Sequence, residues 1–355
     1  PYPKDNYYAM TEEQIEQTEQ EELYERHRIV VDRGQELLRI DKYLQLHLSG
    51  ISRNKIQLAA QAGCVRVNDQ PVKSNHRVHP CEVITVLLPE PPHEFEILPE
   101  EIPLKIVYED DDVLVIDKQP GLVVHPGVGN YTGTLLNALA FYYQGKTGPD
   151  GKEITPYLVH RIDKNTSGLL LIAKNEQAQV YLAKQFFEHS IERKYNALIW
   201  GDLHDDQGTI TGNLGRHPKD RRMMTVFPDG ETGKHAVTHW TVKERFGYTT
   251  LIECVLETGR THQIRAHMRF IGHPLFNDDT YGGDQILKGT TFSKYKQFIQ
   301  NCFALLPRQA LHAAILGFEH PTTHQHMHFE SPLPEDFSLL LAKWRTYTEH
   351  HDTDE

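Results

Sequence analysis

The sequence predicts a small α+β module at residues 37–88, followed at residues 104–345 by an α/β domain with a mixed, largely antiparallel central sheet. Three observations lead to this prediction. At 355 residues the chain is longer than one hydrophobic core usually organises. Within 37–88 the apolar spacing changes from helical to strand-like, and beyond residue 104 strand-like runs alternate with a few helical stretches, without a regular βαβ rhythm.

The segment in front of the module is acidic. Residues 1–36 contain ten acidic and four basic side chains, and EEQIEQTEQEELYER has the composition of a polar helix or a frayed tail. We therefore predict an acidic N-terminal tail over 1–36 that is partly disordered.

The module itself is predicted to contain two short helices and a hairpin. Ser52 is a suitable cap for the second helix, which should end at Gly63. The alternation in CVRVNDQPVK, with Asn68 and Asp69 in the bend, predicts a hairpin, and VITVLL predicts a closing strand. The apolar positions with helical spacing are Leu37, Ile40, Leu44 and Leu48 in the first helix and Ile56, Ala59 and Ala60 in the second.

The charge of the chain is unevenly distributed. The formal net charge is −12, yet residues 37–88 contain seven Lys or Arg against three acids, while residues 89–112 contain nine acids and one Lys. Because RNA affinity depends on local contacts with phosphate, this basic island favours RNA binding, with a merely solvated module as the alternative. We predict that Arg39, Arg53 and Lys55 contact RNA.

Two further segments are predicted to lie outside the domains. Residues 89–103, PEPPHEFEILPEEIP, contain five Pro and five Glu, which indicates a stiff, extended linker that packs poorly. Residues 346–355 are predicted to be a polar C-terminal tail.

The composition indicates a soluble, cytoplasmic protein. No apolar stretch approaches the roughly 18 residues needed to span a bilayer, and the first residues, PYPKDNYYAM, lack the order of a signal peptide. The four cysteines are scattered without a CxxC pair, which argues against disulfides and a thiolate zinc site. We expect reduced thiols and no membrane partner.

Nucleotide and metal motifs are not found. GVGNYTG has one residue too many for GxGxxG, no GxxxxGK[ST] occurs, and HRIDKN departs from the kinase HRDxxxxN spacing. His324, His326 and His328 alternate as on one face of a strand, which is more often a solvated face than a metal site. We therefore predict no cofactor and no metal.

One loop has the composition of a catalytic site. The segment HRIDKNTSG, residues 160–168, lies between a short strand-like stretch and the apolar run LLLIAK, so Asp163 is predicted on a loop supported by two rigid elements. The alternative is an Asx-turn in which the carboxylate caps its own loop.

Together with four other motifs, this segment resembles the RluA family of pseudouridine synthases. The others are VIDKQPGLVVHPG, KYNALIWG, GRTHQIRAH and RQALHAAILGF, and they cover about residues 100–330 in the family's order. The helix-helix-hairpin module resembles an S4 RNA-binding domain. This combination points to the C and D types, which modify large-subunit ribosomal RNA.

The resemblance implies a pseudouridine synthase fold and the isomerisation of uridine to pseudouridine without a cofactor. It implies that Asp163 is the catalytic carboxylate, that Arg265 pairs with it, and that Tyr195 stacks on the base and helps move a proton. Asp163 could attack the ribose, attack the uracil ring or assist elimination to a glycal. Alternatively, Tyr195 is a buried sheet residue and Arg265 a surface cation.

The same motifs suggest substrate contacts. The resemblance makes Arg161 the residue that fills the gap left by the flipped base, although it could instead brace its own loop. The loop 214–222, LGRHPKDRR, corresponds to an RNA-gripping loop, with a solvated turn as the alternative. The remaining predicted substrate-binding residues are His160, Thr166, Lys194, His262, Arg216 and Arg221.

We expect a monomeric enzyme whose partner is RNA, with large-subunit ribosomal RNA as the leading substrate. The alternatives are a transfer RNA pseudouridine synthase, a catalytically silent RNA-binding or assembly factor of the same fold, and a metal-dependent RNA hydrolase that uses the histidine cluster.

Overall fold

The N-terminal module consists of two helices packed on a small antiparallel sheet. The computed structural model describes residues 24–48, 52–88, 97–126, 132–220 and 222–351. The elements of the module are β1 Tyr24–Val30, β2 Leu38–Arg39, α1 Ile40–His47, α2 Arg53–Gln61, β3 Val65–Val67, β4 Gln70–Pro71, β5 Arg77–Val78 and β6 Val83–Leu88. The sheet order is β1-β6-β3-β4, and β2 pairs separately with β5. The first turn of α2 is capped by the Ser52 hydroxyl, which accepts a hydrogen bond from the Lys55 N–H at 3.2 Å.

The bend between β3 and β4 contains the two residues that the sequence placed there. Asn68 and Asp69 both have positive φ, 48° and 66°, as the tight turn of a two-residue hairpin requires. Asn and Asp tolerate this backbone region better than most other residues.

Strand β1 contradicts part of the predicted N-terminal tail. It pairs antiparallel with β6, Val31 is buried in the module core, and Ile29 packs against that core. Ile29 and Val31 face the core on either side of the exposed Val30, so this strand completes the sheet although residues 1–36 are acidic overall. Residues 1–23 of the predicted tail lie outside the described residues.

The second domain is built on an eleven-stranded sheet within the described residues. Its strands are β7 Ile106–Glu109, β8 Val113–Lys118, β9 Tyr157–Leu158, β10 Ser167–Ala173, β11 Glu192–Trp200, β12 Gln207–Arg216, β13 Met224–Phe227, β14 Lys234–Arg245, β15 Thr249–Leu256, β16 Leu311–Glu319 and β17 His326–Glu330. The strand order is β13-β12-β14-β15-β11-β16-β10-β8-β7, with β17 beside β16 and β9 beside β10. The pairings are antiparallel apart from β10 with β16, which confirms the predicted mixed, largely antiparallel sheet.

Helices cover the sheet, and the centre of the sheet is buried on both faces. All seven residues of β10 are buried: Leu170 and Ile172 join one core cluster, and Leu169 and Leu171 join another. This explains the uninterrupted apolar run in SGLLLIA. The helices are α3 Leu135–Tyr143, α4 Glu176–Phe187, α5 Gln263–Phe270, α6 Ser293–Leu305 and α7 Glu335–His351.

The two domains contact each other through α2 and α4. Ala183 of α4 is part of the module's core cluster, and the Ser52 hydroxyl donates a hydrogen bond to Glu176 at 3.0 Å. The Lys55 ammonium lies 5.0 Å from the centre of the Tyr157 ring.

Two predicted boundaries are wrong. The linker prediction fails for its described part, because Leu98 accepts a hydrogen bond from the Asn137 amide at 2.8 Å and Glu100 accepts one from the Gly133 N–H at 2.9 Å. These contacts attach 97–103 to α3. The predicted tail from residue 346 is also wrong up to residue 351, because α7 continues to His351.

In the part of the chain that the structure describes, no helix combines the length and the apolar character that a bilayer crossing needs.

Candidate active site

A cleft opens where the loop before β10 faces the first turn of α5. It is a small cleft that is open to solvent, and residues of both elements line it. Six of the predicted site residues line it: Arg161, Asp163, Thr166, Tyr195, His262 and Arg265.

The loop that carries Asp163 is held from several sides. The buried Lys118 ammonium donates to the backbone carbonyls of Gln119, Leu122 and Lys164, each at 2.9 Å. The loop's own turn is closed by the Thr166 N–H, which bonds the Asp163 carbonyl at 3.1 Å. Such anchoring fixes the position of the Asp163 side chain before any substrate arrives.

Gly168 lets the loop enter the sheet. Its φ is +116°, and a Cβ atom there would lie 2.2 Å from the backbone oxygen of Ala313, where β10 begins its parallel pairing with β16. Only glycine fits this approach, which gives the TSG part of the motif a backbone reason.

Asp163 pairs with Arg265 at the base of the cleft. The Arg265 Nη1 donates to Asp163 Oδ2 at 3.0 Å, and the same guanidinium donates two bonds to the buried Asp278, at 2.7 and 2.9 Å. The Asp163 side chain is 17% exposed, whereas those of Arg265 and Asp278 are 5% and 0% exposed. One arginine therefore joins a reachable carboxylate to a sealed one.

The charges around Asp163 keep it ionised. Burial would raise the pKa of its carboxyl group, but the positive charges of His262, when protonated, and of Arg265, with the Arg265 hydrogen bond, hold that pKa below its usual 3.8. Burial also lowers the pKa of His262 to about 3, so this ring is neutral near pH 7. Arg265, with Arg161 as a further positive charge, then keeps the Asp163 carboxylate charged.

Tyr195 and Arg161 flank the carboxylate. Tyr195 lies on β11, is 7% exposed and lines the cleft, so its ring faces the same space as Asp163. Arg161 is exposed at the cleft wall, two residues from Asp163. This arrangement suits an aromatic platform beside a cation at the mouth.

Two of the predicted substrate contacts in the catalytic domain need correction. His160 is 5% exposed, its ring stacks on Phe186 at 4.5 Å, and its Nε2 accepts a hydrogen bond from the Leu171 N–H at 2.8 Å. It therefore supports the loop from behind. Lys194 precedes Tyr195 on β11, so it projects from the opposite face of the sheet, where its ammonium lies 3.6 Å from Glu192.

The basic residues of the module divide into two kinds. Arg39 and Arg53 both bond the buried Asp41, at 3.0 and 3.2 Å, while 45% and 44% of their side chains stay exposed. Their RNA contacts remain a prediction. The prediction for Lys55 is wrong, because this side chain lies in the contact between the domains and the residue is only 7% exposed.

The predicted RNA-gripping loop is part of the β12–β13 hairpin. Arg216 ends β12 and is half-buried outside the cleft lining, so its RNA contact stays a prediction. Arg221 lies outside the described residues. The loop end of the hairpin packs on α5 through a cluster that includes Met223, Met224 and Ala266.

Three important residues were not predicted. Arg193 lines the cleft, and strand alternation from Tyr195 would have indicated it instead of Lys194. Asp278 and Tyr281, from FNDDTYGG, contact the site through Arg265 and His262. No local pattern connects that segment with the Asp163 loop.

The histidines of the described residues contribute to two clusters with carboxylates, Asp110–Asp112–His320 and Glu192–His326–His328. His320 donates from Nε2 to Asp110 at 2.9 Å, and its Nδ1 accepts from two backbone N–H groups, so both nitrogens are engaged. His328 bonds Glu192 and Glu330, each at 3.2 Å, and these bonds raise its pKa despite partial desolvation. Both clusters are explained by their own hydrogen bonds, and we propose no metal at either.

Comparison with known proteins places this geometry in context. The model of the RNA pseudouridylate synthase family matches residues 112–270, and that of the S4 domain matches residues 38–84. An RNA pseudouridine synthase of Chlorobaculum parvum is 47% identical over 319 residues, covering 89% of this chain and 97% of the relative. The ribosomal large subunit pseudouridine synthase D of Zymomonas mobilis is 40% identical over 310 residues, covering 85% and 92%. The solved structure of human RNA pseudouridylate synthase domain containing 4 shares 23% identity and covers 68% of this chain and 93% of its own, with a TM-score of 0.51, which is a likeness in fold.

Proposed function

The chain belongs to the RNA pseudouridylate synthase family, with an S4 domain ahead of the catalytic domain, and on this premise we propose that it modifies large-subunit ribosomal RNA through Asp163. It is an isomerase that converts uridine to pseudouridine, as its motifs predicted. The observation that carries the assignment of Asp163 is its carboxylate at the base of an open cleft, held charged by Arg265 at 3.0 Å.

Two features support ribosomal RNA as the substrate. Several relatives with identities of 39–42% are named ribosomal large subunit pseudouridine synthase D, and this chain spans 79–94% of their lengths. The S4 domain concentrates positive charge between two acidic segments, residues 1–36 and 89–112, so it can attract phosphate where the segments that flank it do not.

The reaction requires the target uridine to leave its helix and enter the cleft. Tyr195 offers a ring on which the base stacks, and Arg161 fills the space that the base vacates. The N-glycosidic bond between C1′ and N1 then breaks, the uracil turns, C5 bonds to C1′, and C5 loses its proton while N1 gains one. Asp163 acts as an anion whether it attacks the ribose, attacks the ring or assists elimination.

The same balance explains why no cofactor is assigned. The product has the atoms and the oxidation state of the substrate, so the reaction consumes neither an oxidant nor an activated group. The groups proposed to act are a carboxylate, a guanidinium and a phenol, all supplied by the chain.

We expect the enzyme to act as a monomer. We expect it to act in the cytoplasm, because that is the compartment in which its proposed substrate is assembled.

The test is complementation of a strain that lacks the protein. Pseudouridine is mapped across ribosomal and transfer RNA in that strain, and again with wild type, Asp163→Asn, or Asp205→Asn as a control for an exposed carboxylate. We expect sites in large-subunit ribosomal RNA to vanish and to return with wild type and Asp205→Asn only. Sites in transfer RNA alone would reject the proposed substrate, and recovery with Asp163→Asn would reject the proposed role of Asp163.

A further inference from the structure

Tyr281 connects three parts of the site from a buried position. Its residue is 1% exposed, and its ring lies 4.9 Å from the Arg265 guanidinium carbon. Its hydroxyl lies 2.8 Å from the Met224 backbone nitrogen and 3.0 Å from Nδ1 of His262. The first contact reaches the β12–β13 hairpin and the second reaches the cleft.

These distances determine where the protons lie. The Met224 N–H must donate, so the Tyr281 oxygen accepts it, and the tyrosine's own proton then needs an acceptor. Among the described residues, His262 Nδ1 is the acceptor within reach of that hydroxyl. If Nδ1 instead carried a proton, two donors would meet one phenol whose proton is buried without a partner.

A neutral imidazole that accepts at Nδ1 carries its proton at Nε2. Nε2 of His262 lies 4.0 Å from Asp163 Oδ1, beyond the range of a direct hydrogen bond. Its N–H is therefore free to donate to a group that binds in the cleft beside the carboxylate, since His262 and Asp163 both line that cleft. The backbone of His262 lies in the left-handed region, with φ +53°, immediately before α5 begins.

We propose that Tyr281 is a positioning residue that fixes His262 in the Nε2–H tautomer, so that this N–H donates to the nucleotide at Asp163. The proposal rests on the proposed role of Asp163. The hairpin contributes because its Met224 N–H occupies the tyrosine oxygen and thereby sends the phenol proton towards His262.

Buried packing holds the β12–β13 hairpin in place beside the cleft. Met223, Met224 and Tyr281 share one buried cluster with Ala266 of α5, the helix that also carries Arg265. A hairpin that is displaced from α5 would remove the Met224 N–H from the tyrosine oxygen. The tautomer of His262 would then no longer be determined.

The variant Tyr281→Phe tests the proposal, because it removes the hydroxyl and keeps the ring beside Arg265. The control is Tyr295→Phe, since Tyr295 is equally buried at 3% exposure but donates its hydroxyl to the Lys288 carbonyl at 2.7 Å, in a different core cluster. Nitrogen-15 spectra of labelled histidine report the tautomer, and His262 is assigned by the signal that His262→Gln lacks. Turnover is followed by release of tritium from uridine C5 in transcribed large-subunit ribosomal RNA.

We expect wild type at pH 7 to hold its proton on Nε2, and Tyr281→Phe to show a mixture of tautomers. Turnover should fall about tenfold with little change in KM, which corresponds to one hydrogen bond, while Tyr295→Phe changes neither quantity. A proton on Nδ1 in wild type, or a rate loss in Tyr281→Phe without a change of tautomer, would overturn the proposal. A wild type with the expected tautomer that does not act on ribosomal RNA would refute the proposed substrate alone.

Discussion

Replacing Arg265 by lysine tests the arrangement at the base of the cleft. The guanidinium donates two hydrogen bonds to Asp278 and one to Asp163 from a single plane. Lysine keeps the positive charge but presents one compact ammonium group, which cannot reach both carboxylates in this geometry. Buried beside the sealed Asp278, the ammonium should remain with that carboxylate and leave Asp163.

The contacts give the size of the effect. A hydrogen bond between charged groups contributes about 1.5–3 kcal/mol, so loss of the contact with Asp163 should reduce turnover about 10- to 150-fold. Loss of one of the two bonds to Asp278 should lower the melting temperature by roughly 3–12 °C, given about 2–4 °C per kcal/mol for a domain of this size. The two losses are measured separately, because only the first concerns the reacting group.

Single-turnover tritium release at saturating enzyme measures the rate, and calorimetry measures stability. Arg345→Lys is the control, since Arg345 also binds a carboxylate through two bonds, to Glu244 at 2.8 and 2.7 Å, but is 47% exposed on α7. It should leave the rate unchanged and alter stability by at most about 1 kcal/mol. A folded Arg265→Lys enzyme that turns over within threefold of wild type would show that the guanidinium contact with Asp163 is not needed.

Three further predictions concern the supports of the site. Burial lowers the pKa of His160 to about 3, so between pH 6.5 and 3 the unfolded chain binds a proton that the folded chain does not, and the free energy of unfolding falls on acidification. In urea unfolding, the difference in this free energy between wild type and His160→Gln should narrow by roughly 2 kcal/mol from pH 7 to pH 5, and an unchanged difference would contradict the burial argument. Gly168→Ala should lower the free energy of unfolding by roughly 2–5 kcal/mol, because its Cβ would lie 2.2 Å from a backbone oxygen of β16. Gly121→Ala, with φ +87° and open space around it, should lower this free energy by only about 1–2 kcal/mol, and equal losses would refute the steric reasoning. In RNA-binding titrations, replacing the exposed Lys42 by Ala should reduce the slope of log affinity against log salt concentration by about 1. Lys55→Ala should leave this slope unchanged, because Lys55 faces Tyr157 of the other domain, and a reduced slope would show that Lys55 contacts RNA.

Local signals in the sequence gave the local structure reliably. The cap at Ser52 and the bend at Asn68 and Asp69 follow from short-range hydrogen bonding and backbone preference. Both depend only on residues that are neighbours in the sequence. Strand β1 was missed for the opposite reason. Its alternation is short and contains charged residues, so it becomes recognisable only when β6 is available to pair with it.

The site residues show the same division between local and distant information. Family motifs identified Asp163 and Arg265 as a pair, but the carboxylate that orients this arginine, Asp278, comes from a segment without a recognisable chemical pattern. Lys194 was misassigned because a motif names neighbouring residues together while a strand places them on opposite faces. Lys55 was misassigned because it contacts Tyr157 of the other domain. The sequence pattern of one domain does not show which of its residues contact the other domain.

The distribution of Arg265's bonds has a chemical consequence. A nucleophilic carboxylate bound by two strong hydrogen bonds would be ionised but unreactive, because attack would have to break both. Here two of the three guanidinium hydrogen bonds go to Asp278, and Asp163 receives one, at Oδ2. Within the described residues Oδ1 accepts no hydrogen bond, and Nε2 of His262 lies 4.0 Å from it. In the two proposed routes in which Asp163 attacks the substrate, its carboxylate loses its charge on bonding, and Arg265 and Asp278 then remain as a neutral buried pair that does not need to move. The second carboxylate therefore lets the arginine keep Asp163 charged before the reaction without following it during the reaction.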